Sequence, residues 1–216
     1  MRILYIYPHP DDESFGPAGV MAKQRREGHE VHLLTLTRGG ATRQRHRYGY
    51  SVEEMGDVRY REMLDVAQTL DLSSLTVLDL PDSGLKEMDP RAIESVVVEH
   101  VHRLRPDVLA TYAVHGISGF HDHLVTHAVV KRVFVERREH RPAPRRLAFV
   151  TLTEDAAAAS THFPLSGSTA AEIDCVIDVS PGDAAANLAA LDAYTTFQET
   201  IDASGVREQV GGQAVF

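Results

Sequence analysis

The stretch Pro8-His9-Pro10-Asp11-Asp12-Glu13 sets an imidazole beside three carboxylates. Imidazole nitrogen and carboxylate oxygen are usual zinc ligands. A phosphate-binding turn would place glycines here, so that backbone N–H groups approach the anion. Three carboxylates repel a pyrophosphate and suit a cation. A second stretch, His115-Gly116-Ile117-Ser118-Gly119-Phe120-His121-Asp122-His123, holds three imidazoles and two glycines that let the chain turn sharply toward the first. His9, Asp12 and His123 then supply two histidines and one carboxylate, with a fourth position left for water. That is the ligand count of a catalytic zinc site, not of a closed structural one. Zinc in such a site brings the pKa of water to about 7 and polarises a carbonyl. Asp11, next to Asp12 but facing the other way, is the candidate proton acceptor. Two alternatives stay open: His123 and His127, spaced i and i+4, as a rival pair on one helix face, and Fe(II), which takes the same ligand set.

Alternating strands and helices are needed to bring these stretches together. Apolar runs at Ile3–Tyr7, Val31–Leu36, Leu75–Leu80, Val108–Tyr112 and Leu147–Leu152 read as buried strands, with a last short one at Val176–Val179. Helical patterns cover about Phe15 to Glu27, Val52 to Leu70, Pro90 to Leu104, His121 to Arg138 and Asp183 to Phe197. Gly28 is a plausible residue just past a helix end, and Pro90 suits a helix start. The implied fold is α/β, a Rossmann-like three-layer arrangement with a mostly parallel central sheet, in one domain over residues 1–216. Such a sheet carries its site at the carboxyl ends of its strands. Both stretches fall there, after the first and fourth strands.

Composition narrows the function classes. The 216 residues hold 22 Lys and Arg against 31 Asp and Glu, a net charge of −9, and 43% are hydrophobic. The apolar share supports a core, and the acidic balance argues against nucleic acid as a partner. The lone cysteine, Cys175, excludes an intrachain disulfide and an all-thiolate metal site, and its place at a strand start suggests a small buried residue. The first residues form too short an apolar run for a signal peptide, and no stretch approaches the length of a membrane span, so cytoplasmic residence without a membrane partner is expected. Four of the 12 histidines fall between positions 115 and 127.

Pro8-His9-Pro10-Asp11-Asp12-Glu13 after the first strand, Gly119-Phe120-His121-Asp122-His123 after the fourth, and Arg59-Tyr60-Arg61-Glu62 on the helix between them resemble the PIG-L/LmbE-like zinc-dependent N-deacetylases. The resemblance implies hydrolysis of the N-acetyl group of an N-acetylglucosamine conjugate. Members of that family act in mycothiol, bacillithiol and glycolipid-anchor synthesis. It implies His9, Asp12 and His123 as ligands of one zinc per chain (Fe2+ being possible), Asp11 as the base, and Arg59 as a substrate contact. Asp122 would hydrogen-bond an imidazole and fix its tautomer. The family's second motif usually reads Gly-His-Pro-Asp-His, and its first histidine helps stabilise the oxyanion. Phe120 stands in that slot and cannot donate a hydrogen bond. Either His121 supplies the donor, or the metal alone carries the oxyanion, or the chemistry is weakened. A further reading is a non-catalytic metal- or sugar-binding member of the same fold.

Arg38-Gly39-Gly40-Ala41-Thr42-Arg43-Gln44-Arg45-His46-Arg47 is basic for so acidic a chain. Arg43 is the candidate to draw in an anionic group, such as the carboxylate of N-acetylglucosaminyl-malate. The expected partner is thus a small amino-sugar conjugate, with the chain itself a homo-oligomer. Asp82, in Pro81-Asp82-Ser83-Gly84, reads first as a turn former. Tyr194 lies on the last helix, within possible reach of the pocket.

Overall fold

A computed structural model describes residues 1–140 and 143–216. Five parallel strands form the central sheet: β1 (Arg2–Tyr7), β2 (Glu30–Thr37), β3 (Ser74–Leu80), β4 (Val108–Tyr112) and β5 (Arg146–Val150), in the order β3-β2-β1-β4-β5. Pairing runs from Arg2 opposite Glu30 and from Ile3 opposite Val108. The strand order reverses direction between β1 and β4, so a crevice opens at their carboxyl ends.

Strand residues alternate between two apolar layers, as the pleat requires. Ile3, Tyr5 and Tyr7 pack with Met21, Met63, Val66 and Leu191, from α2 (Ala18–Arg26), α4 (Val52–Thr69) and α8 (Pro181–Ala193). Leu4 and Ile6 pack on the other side with Ile93, Val97, Val129 and Val133, from α5 (Pro90–Leu104) and α6 (His121–Arg137). Both faces of β1 are therefore covered, and the three-layer arrangement expected from the alternation is present. Helix α4 begins with a complete capping box, in which Ser51 and Glu54 each bond the other's backbone N–H.

The deviations from expectation have local causes. The first helix is split: α1 (Asp12–Phe15) ends at Gly16, and α2 restarts after Pro17, which has no N–H to continue the ladder. The basic loop contains one short turn, α3 (Arg45–Tyr48). Between β3 and α5 lies a single 3₁₀ turn, Leu85–Glu87. The small-residue excursion after β5 contains α7 (Glu154–Ala158). Strand β6 (Val176–Val179) does not join the sheet; it pairs antiparallel with β7 (Gly212–Val215), which the polar Gly-Gly-Gln run disguised. The last helical region breaks at Tyr194, followed by α9 (Gln198–Ser204) and α10 (Val206–Gln209). Cys175 is exposed, contrary to the buried position expected of it: β6 lies outside the covered sheet.

Candidate active site and metal centre

Pro8 follows β1 directly, and the chain then turns at Asp11, a non-glycine residue with φ of 85°. Such a conformation persists only where surrounding contacts enforce it. Three contacts do so here. Arg59, buried on α4, donates to Pro10 O (2.9 Å) and to Asp11 Oδ2 (2.6 Å). The Asp11 N–H donates to Tyr194 Oη at 2.8 Å, and that hydroxyl donates to Glu13 Oε1 at 2.7 Å. Gly39 is needed beside this brace, because a Cβ there would lie 2.8 Å from both Arg59 Nη1 and Pro10 Cδ.

His9, Asp12 and His123 each present a ligand atom within 4.8 Å of the others. The His9 Nε2 edge faces Asp122 Oδ2 and Asp82 Oδ1, both at 3.3 Å. A ring nitrogen between two carboxylates carries the proton, which leaves the Nδ1 lone pair on the Asp12 side, 3.7 Å from Oδ2. His123 mirrors this: Nδ1 faces Gly116 O at 2.9 Å, and Nε2 faces Asp12 Oδ1 at 3.4 Å. Two imidazoles thus point their free lone pairs at one carboxylate, a donor set that fits a tetrahedral divalent ion with a vacant corner. Gly116 has φ of 65°, and a Cβ there would come within 2.9 Å of His123 Cβ.

Electrostatics favour a cation at the same point. Burial opposes charge on His9, but the Asp122 hydrogen bond and the charges of Asp12, Asp82 and Asp11 outweigh it and push the imidazole up to about 9, so that near neutral pH a second proton takes the Nδ1 lone pair that a metal cation would otherwise use. Burial lowers His123, keeping it a neutral donor. Burial raises Asp11 to about 6 against the opposing pull of Arg59. Burial likewise raises Glu13 to about 7. Tyr112, at the end of β4, donates to Asp12 Oδ1 at 2.6 Å and stacks on His123 at 4.3 Å.

The remaining candidates divide. Asp122 takes the His9 contact and also accepts from Ser83 N (2.8 Å) and Leu85 N (3.2 Å), so it ties the loop after β3 to the cluster. Asp82 does more than form a turn: it accepts from Ala41 N and lies beside His9. His127 bonds Tyr112 O and packs against Phe149, away from the cluster, so the rival His123–His127 pair is not assembled. His121 is exposed and outside the cavity lining. Each helical residue rotates about 100°. With Asp122 and His123 turned inward, position 121 must face out. Phe120 itself lines the cavity. Arg59 lines it too, but its Nη atoms are occupied by Asp11, Pro10 and Gly39, so it acts on the loop first. Arg43 is exposed and outside the lining, although neighbouring Thr42 belongs to it. Sequence reasoning gave Tyr112 no role and could not place Tyr194; the only signal for Tyr112 was its place at a strand's carboxyl end.

Residues 4–134 match the family described as PIG-L: GlcNAc-PI de-N-acetylase. The chain belongs to the PIG-L family. Among PIG-L relatives, the probable N-acetyl-alpha-D-glucosaminyl L-malate deacetylase 2 of Bacillus subtilis (strain 168) is 29% identical over 143 residues, 65% of this chain and 64% of that protein. The mycothiol S-conjugate amidase of Streptomyces coelicolor (strain ATCC BAA-471 / A3(2) / M145) is 32% identical over 152 residues, 62% of this chain and 52% of that protein. The matched stretch therefore spans about half to two-thirds of these relatives. A deacetylase-bog complex in the biosynthesis pathway of teicoplanin shares the fold, with a TM-score of 0.77 at 15% identity over 100% of this chain and 96% of the other. The PIG-L match ends within α6, so β5 and everything after it lie outside it.

Proposed function

We propose that this chain is a metal-dependent amidase that removes the N-acetyl group from an N-acetylglucosamine-containing substrate. The observation that carries the reading is the set of three ligand atoms within 4.8 Å of one another, in the same cavity as the Asp11 carboxyl. His9 Nδ1, Asp12 and His123 Nε2 would hold one zinc ion, or Fe2+, which when bound acidifies water and polarises the amide carbonyl. Asp11 takes a proton from the attacking water and returns it to the departing amine nitrogen. Its elevated pKa suits both transfers, and Arg59 keeps the carboxyl aimed. Asp122 holds the His9 proton on Nε2, so that Nδ1 stays a donor. Phe120 offers no hydrogen bond where the family pattern has histidine, and His121 faces solvent, so the oxyanion lacks an imidazole donor from either residue.

The finer form of the proposal is an anionic conjugate such as N-acetylglucosaminyl-malate. Its support is the Bacillus subtilis relative and the position of Arg43 next to Thr42 at the cavity. Comparing kcat/KM for N-acetylglucosamine and its malate conjugate tests it; equal values remove the anion argument. Asp11→Asn tests the reaction itself. Metal content should persist while acetate release falls on the order of 10²–10⁴-fold. Near-native turnover in that variant would remove Asp11 from the role of base. Bound metal without acetate release from any amide would favour the non-catalytic binder.

A further inference from the structure

The cavity that contains the cluster has a volume of about 600 Å³ and is chemically two-sided. Among the described residues lining it, the only aspartates, histidines and arginine are His9, Asp11, Asp12, Arg59, Asp82 and His123. All of them belong to the cluster or its brace. The rest of the wall is dominated by apolar groups, among them Phe15, Val20, Leu152, Leu165, Val206 and Val210. Several polar lining groups on that side are already engaged, with Gln209 an exception among the described residues. Asn187 Nδ2 donates to Ser14 O at 2.8 Å, Thr151 Oγ1 pairs with Ser168 Oγ at 2.9 Å, Ser204 Oγ donates to Ile201 O at 2.7 Å, and Gln213 Nε2 donates to Asp178 at 2.9 Å. A second sugar ring would bring hydroxyls here and find few free partners, at a cost for each one left unpaired.

Much of this wall comes from β5, α7, α10 and the β6–β7 pair, beyond the stretch that matches the PIG-L family. The β6–β7 pair is bound to the end of β5 by the Thr151–Val215 bridge, which places the apolar wall beside the carboxyl end of the sheet, where the cluster lies. At the cavity wall, Phe120 meets Phe163 edge-on at 6.2 Å and His123 at 5.6 Å, extending the apolar lining to the metal centre.

We infer that the substrate carries an alkyl or otherwise apolar arm, seated against this wall while the amide lies at His9, Asp12 and His123. The inference rests on the amidase reading for the position of the amide. Two sources share the chemistry: a longer N-acyl chain, or an apolar group on the sugar's anomeric oxygen. Isothermal titration calorimetry on zinc-loaded protein separates them. One series is N-acyl glucosamines and the other O-alkyl glycosides of N-acetylglucosamine, each from methyl to octyl. Each added methylene should tighten Kd about fourfold in one series, with an increasingly negative heat-capacity change. Ala156, half-buried on α7 and lining the wall, provides the blocking variant: Ala156→Phe should flatten the slope. Should that variant fail to fold, as judged by thermal melting, Leu165→Asn should reduce the slope instead. A Kd independent of chain length in both series overturns the inference, even where N-acetylglucosamine is deacetylated. Tightening with chain length and no carboxylate release from either series, neither acetate from the glycosides nor the matching acid from the N-acyl glucosamines, keeps the arm and removes the amidase reading.

Discussion

Replacing Tyr194 by Phe removes a single oxygen and keeps the ring that fills its buried site. That oxygen accepts the Asp11 N–H at 2.8 Å and donates to Glu13 Oε1 at 2.7 Å, and Tyr194 is fully buried. The Asp11 amide would be left buried without a partner, at a cost of about 1–3 kcal/mol. Glu13 would keep only the Ser14 hydroxyl, because its Oε2 already lacks a partner among the described residues. Tyr194's hydrogen bond lowers the Glu13 pKa, so losing it moves that group above about 7 and it retains its proton. Protonation limits the second loss to about 1 kcal/mol. The sum is about 2–4 kcal/mol, or roughly 5–15 °C in Tm for a chain of this size. The left-handed turn at Asp11 also loses one of its three restraints, and a carboxyl displaced by about 1 Å costs on the order of 10²-fold in rate. Thermal melting and acetate release, measured on protein of equal metal content, should both fall, with kcat affected far more than KM. If Tm and kcat both matched the wild type, the hydroxyl would not be what holds the Asp11 turn.

Two other perturbations probe separate parts of the argument. Phe120→His restores an imidazole at an exposed cavity-wall position, and acetate release should rise on the order of 10²-fold or more if the oxyanion lacks a donor; no rise would show that another group serves there. Asp183, beneath Arg26, has its pKa lowered to about 2, mainly by that guanidinium's hydrogen bonds. A depressed carboxylate stabilises the fold above its unfolded pKa near 4 and loses that contribution as pH falls toward 2. Arg26 is exposed, so solvent screening keeps the effect small. Arg26→Ala should therefore unfold more easily than wild type at pH 7, and the two denaturation curves should converge below about pH 2. A constant gap across that range would show that packing, not charge, explains the difference.

The sheet was legible because its inner strands β1, β2 and β4 are buried on both faces, and they and the half-buried edge strands β3 and β5 read as mainly apolar runs between turn signals. The grouping of His9, Asp12 and His123 within 4.8 Å was legible for a related reason: residue type and strand-end position coincide there. What sequence reasoning missed has no local signature. Tyr194 lies 183 residues from the Asp11 amide it accepts, and Tyr112 lies 100 from Asp12. Strand β7 carries a glycine and a glutamine in four residues, and only its pairing with β6 makes it a strand. His121 looked equivalent to its neighbours in composition, but helical rotation turns it outward. Arg59 looked like a substrate contact, and its buried partners show a prior task in bracing the loop.

The central claim is that His9, Asp12 and His123 hold one divalent ion. Anomalous diffraction from crystals of zinc-loaded protein tests it most directly. The account predicts one strong peak about 2.0–2.1 Å from His9 Nδ1 and His123 Nε2, with an Asp12 oxygen at a similar distance. A peak instead among His9, Asp82 and Asp122, the other acidic group near this loop, or no peak at a saturating concentration, would contradict it.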